Sequence, residues 1–288
     1  MLKTVWLTDN KKNSQGVAML LGGFDGLHVG HRSLLARAKE SGLPVGMMTI
    51  AGCKDKGVFT FAERELIFKE SGADFVFELP FEEIKALSPE SFLKLLQENF
   101  APALFVCGED FRFGANAQGT PKTIQQWGQV CVEVVPLLEI EGEKVSSRTV
   151  KSHLAEGNVA KANALLGERF FLLGEVIKDR QVGRTMGFPT ANILYPQEKF
   201  PLKQGVYETC VTVDGVRYKG ITNYGARPTF DNACVLTETY LDGFHGNLYG
   251  KVLKVEFVRF LREITRFADM QALKQQLETD IRRVRNND

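Results

Sequence analysis

Two short clusters hold residue types suited to handling phosphate. The first is Gly22-Gly23-Phe24-Asp25-Gly26-Leu27-His28-Val29-Gly30-His31, where two of the chain's four histidines stand three residues apart in a glycine-rich turn. Imidazoles at that spacing, where a helix begins, add donors to the free backbone N–H groups and the positive end of the helix dipole. Such a place receives oxyanions. The plain alternative is that His28 and His31 only cap the helix or face solvent; their concentration in one turn favours the phosphate reading. The second cluster is Gly187-Phe188-Pro189-Thr190-Ala191-Asn192, preceded by a stretch, Asp179 to Met186, that holds Arg180, Gly183 and Arg184. On physics alone it is a turn feeding a strand, and Thr190 and Asn192 offer oxygens suited to a hard cation. Their plain alternative is ordinary turn hydrogen bonding.

Positioning these clusters requires two kinds of scaffold. Val17 to Leu21 predicts a buried strand and Arg32 to Ser41 a helix ending at Gly42, so the first cluster is a strand-to-helix turn. Short apolar runs then alternate with capped helices. Thr60 and Glu63 form a capping box before a helix that stops at Gly72, and Asp74 to Leu79 follows as a strand. Ser88-Pro89 and Thr120-Pro121 each pair an N-cap with proline at the first helical position. Ala103 to Cys107 and Val130 to Val135 add strands, and Val150 to Ala155 and Val159 to Leu166 add short helices. The expectation for residues 1–166 is an α/β domain with a parallel, Rossmann-like sheet, whose ligands collect beyond the carboxyl ends of the strands. From residue 167 the texture becomes antiparallel. Strands are expected at Phe170 to Val176, Gly205 to Val213, Val216 to Thr222, Val235 to Leu241 and Lys251 to Phe260, with a hairpin at Asp214-Gly215. They are enough for a small barrel in residues 167–288. Met270, Leu273, Leu277, Ile281 and Val284 recur at helical spacing and predict a terminal helix across it.

Bulk properties exclude several classes. The 288 residues carry 36 basic and 35 acidic side chains without a basic stripe, so nucleic acid is not an expected partner. Arg282, Arg283 and Arg285 are read as charges at a helix C-terminus. Five dispersed cysteines make neither a disulfide framework nor a zinc pattern, which points to a reducing cytoplasm. Lys3, Asp9, Lys11 and Lys12 interrupt the first twenty residues, which argues against a signal peptide, and no run approaches a membrane span.

The first cluster resembles the HxGH signature of nucleotidyltransferases that pass AMP from ATP to a phosphate acceptor. The second, with Gly205-Val206-Tyr207, Tyr224 to Phe230, Thr237-Glu238-Thr239, Leu248-Tyr249-Gly250 and Leu261-Arg262-Glu263, resembles the GxPTAN motif and surroundings of riboflavin kinases. Nearly the whole chain is therefore similar to the bacterial bifunctional riboflavin kinase/FAD synthetase family. The resemblance implies adenylylation of FMN to FAD in residues 1–166, with His28 and His31 steadying the phosphates. Nucleotide contacts are implied for Gly23, Phe24, Asp25, Gly30, for Asp110 in Gly108 to Gly114, and for Ser147 and Lys151. For residues 167–288 it implies phosphorylation of riboflavin to FMN by ATP and Mg²⁺. There Glu238 is the implied general base, Thr190 and Asn192 lie near the metal, and Gly183, Arg184 and Gly187 lie at the nucleotide. The chain departs from the family pattern in three places. Thr49 to Gly57 lacks a Pro-His-Pro element, Lys151 replaces an arginine, and Tyr240 stands where histidine is frequent. Two rival expectations remain: a monofunctional member of the family, and a flavin-binding regulator without turnover.

Overall fold

Chain segments with short runs of buried apolar residues, separated by good caps, fold here as alternating strands and helices. The computed structural model describes residues 2–7, 15–52, 55–178, 188–227 and 234–286. The chain divides into two compact units, Met1–Thr149 and Val150–Asp288.

In the first unit the elements run β1 (Lys3–Trp6), β2 (Val17–Leu20), α1 (Val29–Glu40), β3 (Val45–Ala51), α2 (Phe61–Ser71), β4 (Phe75–Pro80), α3 (Phe81–Ile84), α4 (Pro89–Phe100), β5 (Pro102–Gly108), α5 (Pro121–Trp127) and β6 (Cys131–Val135). A two-residue-stranded hairpin, β7 (Glu139–Ile140) and β8 (Glu143–Lys144), leads into α6 (Ser147–Glu156). The expected caps are present: Thr60 and Glu63 bond reciprocally at α2, Ser88 caps α4 ahead of Pro89, and Thr120 caps α5 ahead of Pro121. The sheet has the order β1-β4-β3-β2-β5-β6 with every neighbour parallel. Val17, Met19, Phe77, Phe105, Leu93, Leu96 and Phe100 join in one core between this sheet and α4 and α5. Alternate strand residues such as Ala18, Leu20 and Met47 are also fully buried, so helices cover both faces. Strand order reverses at β2, whose neighbours are β3 on one side and β5 on the other. The turns leaving β2 and β5 therefore flank the switch point, where open parallel sheets bind ligands.

The second unit holds α7 (Val159–Leu166), β9 (Phe171–Glu175), β10 (Thr190–Leu194), β11 (Gly205–Val213), β12 (Val216–Arg227), β13 (Cys234–Leu241), β14 (Val252–Arg262) and α8 (Met270–Arg285). The strands form an antiparallel sheet in the order β10-β13-β12-β11-β14-β9. Its two ends meet where Ile177 bridges Asn192, which all but closes a barrel. The β11–β12 connection is the expected Asp-Gly turn: Asp214 and Gly215 both have positive φ, 50° and 81°, as a type I′ turn requires. The barrel contains a buried row of hydroxyls, Thr209 to Thr222 at 2.9 Å and Thr222 to Thr239 at 2.8 Å. Helix α7 is fixed to β14 by Asn163, whose amide donates to the Phe257 carbonyl at 2.9 Å.

Helix α8 lies on the barrel, as its apolar spacing predicts, yet only its second half is buried. Ile281 and Val284 pack with Val206 and Ile221, whereas Met270 is exposed. Asp280 fixes the rest: fully buried, it accepts from Arg262 at 3.0 and 2.8 Å and from Gln276 at 2.9 Å. Arg285 grips Asp242 with two bonds of 2.7 Å and holds that carboxyl below its ordinary range. Cys107, Cys131 and Cys210 are free thiols.

Candidate active sites

The β2–α1 turn is built around a strained residue. Phe24, at φ 36°, is a bulky side chain in the left-handed region. Gly26 follows at φ 122°, where a Cβ would meet the Phe59 ring at 2.7 Å, so only glycine fits. Asp25 anchors the turn by accepting from the Val58 backbone N–H at 2.8 Å. These three residues fold the chain so that both imidazoles arrive at the first turn of α1.

His28 is the N-cap: its Nδ1 accepts from the His31 backbone N–H at 3.1 Å. The capping and phosphate readings are compatible, because the ring has a second nitrogen. With Nδ1 used as an acceptor, a neutral His28 carries its proton on Nε2 and presents a donor. His31 has the opposite tautomer. Its Nδ1 lies 2.9 Å from the Gly26 carbonyl, which can only accept, so the neutral ring leaves Nε2 as a lone pair. The two rings stack at 3.5 Å, and Phe24 lies against His31 at 4.5 Å. Burial, followed by the neighbouring His31, lowers His28 to about 2. Burial lowers His31 to about 4, against smaller upward pulls from the Gly26 carbonyl and Asp110. Both rings are thus neutral at pH 7 before any ligand arrives.

Of the other predicted residues of this half, Asp110 lies beside the turn. Asp110 follows β5, near enough to His31 to act on it electrostatically, and its Oδ2 is 2.6 Å from Lys144 Nζ. Ser147 opens α6, which Ser146 caps by accepting from the Thr149 N–H at 3.2 Å. Val145 comes within 3.7 Å of where a Gly30 Cβ would sit, bringing the N-terminal ends of α1 and α6 toward each other. Gly23 is open, with nothing near its Cβ position. Phe24 itself is buried, its ring against His31. Lys151 packs its ammonium on the Phe200 ring at 5.7 Å.

Sequence reasoning missed two features here. Lys144 sits just ahead of the Ser-Ser pair, at the end of a hairpin that also carries Glu139, Glu141 and Glu143. The second is a cavity of about 400 Å³ that begins at Gly22 and Gly23 and is walled by Met48, Phe81, Phe111 and Phe113. Phe111 and Phe113 stack at 5.4 Å. The alternation of phenylalanines in Phe111-Arg112-Phe113 was the available signal for an aromatic wall.

In the barrel the second cluster is assembled by strand register. Thr190 and Asn192 project from the same face of β10, and Asn192 is the direct cross-strand partner of Glu238 on β13. Glu238 is in turn opposite Asn223 on β12, whose amide donates to Glu238 Oε2 at 3.4 Å. Three polar side chains thus sit side by side on successive strands, each outer Cβ about 4.5–5.5 Å from that of the central Glu238. Asn223 had no assigned role in the sequence reading; the signal was its place in Thr222-Asn223-Tyr224-Gly225. Thr190 also lines a cavity of about 490 Å³ with Pro189, Phe244, His245, Leu248 and Tyr249. Tyr240 packs edge-on against Phe188 at 5.5 Å. Gly183, Arg184 and Gly187 lie outside the described residues.

Comparison with known proteins agrees with both halves. The FAD synthetase family matches residues 10–149 and the riboflavin kinase family residues 166–287. A protein of Pseudomonas fluorescens named bifunctional riboflavin kinase/FMN adenylyltransferase is 32% identical, covering 93% of this chain and 91% of its own. The chain belongs to the bifunctional riboflavin kinase/FMN adenylyltransferase family. An Escherichia coli K12 member of that name is 33% identical over 92% of this chain and 91% of its own. A solved structure from Streptococcus pneumoniae, described as a macrolide-efflux protein, matches with a TM-score of 0.91 at 26% identity, covering 99% of both chains. No helix among the described residues is long and apolar enough to cross a membrane. Family membership makes ATP, riboflavin and FMN the substrates.

Proposed function

We propose that residues 167–288 phosphorylate riboflavin with ATP and that residues 1–166 adenylylate the resulting FMN, in the cytoplasm, with Mg²⁺ at both steps. What supports this reading is two separately built polar clusters in a chain of this family: stacked neutral imidazoles at the start of α1, and an Asn192–Glu238–Asn223 row on the barrel.

In the kinase step the ribityl 5′-hydroxyl attacks the terminal phosphorus of ATP, the bond to ADP breaks, and the hydroxyl proton passes to Glu238. A primary alcohol is a weak nucleophile, so a carboxylate that accepts its proton contributes about 10²–10⁴-fold. Asn223 and Asn192 orient that carboxylate from either side. Thr190 and Asn192, both oxygen donors, fit Mg²⁺, which commonly takes one or two protein oxygens together with phosphate and water. Among the described residues no three His, Cys, Asp or Glu form a metal cage, which suits an ion that arrives on ATP. When bound, the ion neutralises charge on the transferring phosphoryl group.

In the adenylylation step an FMN phosphate oxygen attacks the α-phosphorus and pyrophosphate leaves. No side chain forms a covalent bond. His28 Nε2–H and the N–H groups of α1 and α6 hold the phosphates in line, and rate arises from positioning and charge stabilisation. The phenylalanine-walled cavity at Gly22–Gly23 suits the planar flavin ring.

Separating the flavins formed by the purified chain from riboflavin, ATP and Mg²⁺ tests the reading. Glu238→Gln should block FMN formation yet still convert supplied FMN to FAD, and His28→Ala should accumulate FMN. FMN without FAD in the unmodified chain would eliminate the synthetase half, and no flavin conversion at all would eliminate both.

A further inference from the structure

We propose that Arg285, at the end of α8, is a positioning residue for riboflavin phosphorylation, acting through Asp242 and Tyr240. The kinase reading of Glu238 and Thr190 above is its premise.

Register brings Tyr240 to that site. On β13 it stands two residues from Glu238 and on the same face of the sheet, and it is the direct cross-strand partner of Thr190 on β10. Its ring meets Phe188, two residues ahead of Thr190, edge-on at 5.5 Å. The Tyr240 ring therefore borders the segment that carries Thr190 and Asn192.

Helix α8 holds Tyr240 at both ends. Its apolar body packs, with Phe188, against the cluster that Ile281 and Val284 form with Val206 and Ile221. Its hydroxyl lies 3.4 Å from Asp242 Oδ1. Arg285 donates from Nη2 to the same oxygen and from Nε to Oδ2, each at 2.7 Å. A bidentate guanidinium fixes the plane of a carboxylate, so Asp242 offers the hydroxyl an acceptor in one place.

The competing role is anchorage of α8 alone, and other contacts already supply it. Asp280 accepts twice from Arg262 within the helix, and at its end Lys219 donates to the Val284 carbonyl at 3.2 Å. An ion pair whose arginine is 59% exposed adds little stability to these. What Arg285 supplies and they do not is the orientation of Asp242 toward Tyr240. Small displacements of groups that position reactants are expensive: about 1 Å costs on the order of a hundredfold in rate.

Riboflavin phosphorylation by the full-length chain reads this relay. Arg285→Met and Tyr240→Phe should each lower kcat about five- to twentyfold and raise the Mg²⁺ concentration giving half-maximal rate, with KM for riboflavin within about twofold. Because the two residues act in series, the double variant should be no more than about twofold worse than either alone. Arg285→Lys, which can keep one contact to Asp242, should recover part of the loss. The unfolding midpoint should stay unchanged. Anchorage alone predicts the reverse, a lower midpoint in Arg285→Met with kcat intact in both variants. Tyr240→Phe loses a single oxygen and carries the test if Arg285→Met does not fold. A Tyr240→Phe kcat within about twofold of the unmodified chain overturns the proposal, as do losses that multiply in the double variant. A chain inert toward riboflavin, or one whose turnover survives Glu238→Gln, refutes the kinase-site reading and takes the proposal with it. An active, Glu238-dependent chain indifferent to Tyr240 and Arg285 refutes the proposal alone.

Discussion

Lowering the pH should destabilise the nucleotide-free chain through His28 and His31, and the size of the effect follows from their burial. Unfolded, each ring takes up a proton near its ordinary value of 6.5; folded, His31 waits until about 4 and His28 until about 2. The unfolded state therefore binds more protons in that window. Stability from these groups is full above pH 6.5 and is lost as pH falls toward the folded values. At pH 5, about 1.5 units below the ordinary value, the loss is about 2 kcal/mol per ring, or about 4 kcal/mol for the pair. Urea unfolding at pH 7.5 and 5.0 measures it, and a His28→Gln/His31→Gln double variant subtracts the carboxylates, since it should lack this share of the pH slope. Imidazole NMR gives the direct reading, with only four histidines to assign. Neither ring should titrate above pH 5 in the free chain. Pyrophosphate should then raise His31, because a neutral His31 with Nδ1 committed to Gly26 has no proton on Nε2 to offer an anion. Titration of His28 or His31 near 6.5 in the folded, ligand-free chain would refute the reasoning.

Other perturbations isolate other parts. Asp280→Ala strands Arg262 against α8 and should cost about 3–5 kcal/mol in denaturant unfolding; a loss under about 1 kcal/mol would show that the apolar stripe alone holds the helix. Phe111→Ala opens the aromatic wall and should raise KM for FMN in FAD formation about tenfold while riboflavin phosphorylation is unchanged. Glu238→Gln should lower riboflavin phosphorylation about 10²–10⁴-fold with an unchanged unfolding midpoint. Chelating Mg²⁺ should stop both steps and its return should restore them; a step that continues in chelator does not use the metal.

Where local signals were strong, the elements stand where the sequence places them. The caps at Thr60, Ser88 and Thr120 each satisfy backbone donors within four residues, so no tertiary knowledge was needed to find α2, α4 and α5. Asp214-Gly215 fixed its hairpin for the same reason. Strand β1 escaped notice: four residues, partly exposed, gain their partner only from β4, more than seventy positions away. The first site was legible in type but not in protonation. Two histidines at a helix start are visible as letters; that one presents a donor and the other a lone pair depends on the His31 N–H and the Gly26 carbonyl. Asn223 was invisible for a related reason, since it reaches Glu238 across a strand pair. The compact units meet at Thr149–Val150, and Asn163 of α7 bonds to β14 within the second of them.

The threonine row inside the barrel has a consequence for how the kinase site is threaded. Sliding β12 by one position would turn Thr222 outward, leave the hydroxyls of Thr209 and Thr239 stranded in an apolar interior, and rotate Asn223 away from Glu238. Alignment of Glu238 with Asn223 is thus enforced from the opposite side of the sheet, by hydroxyls buried inside the barrel.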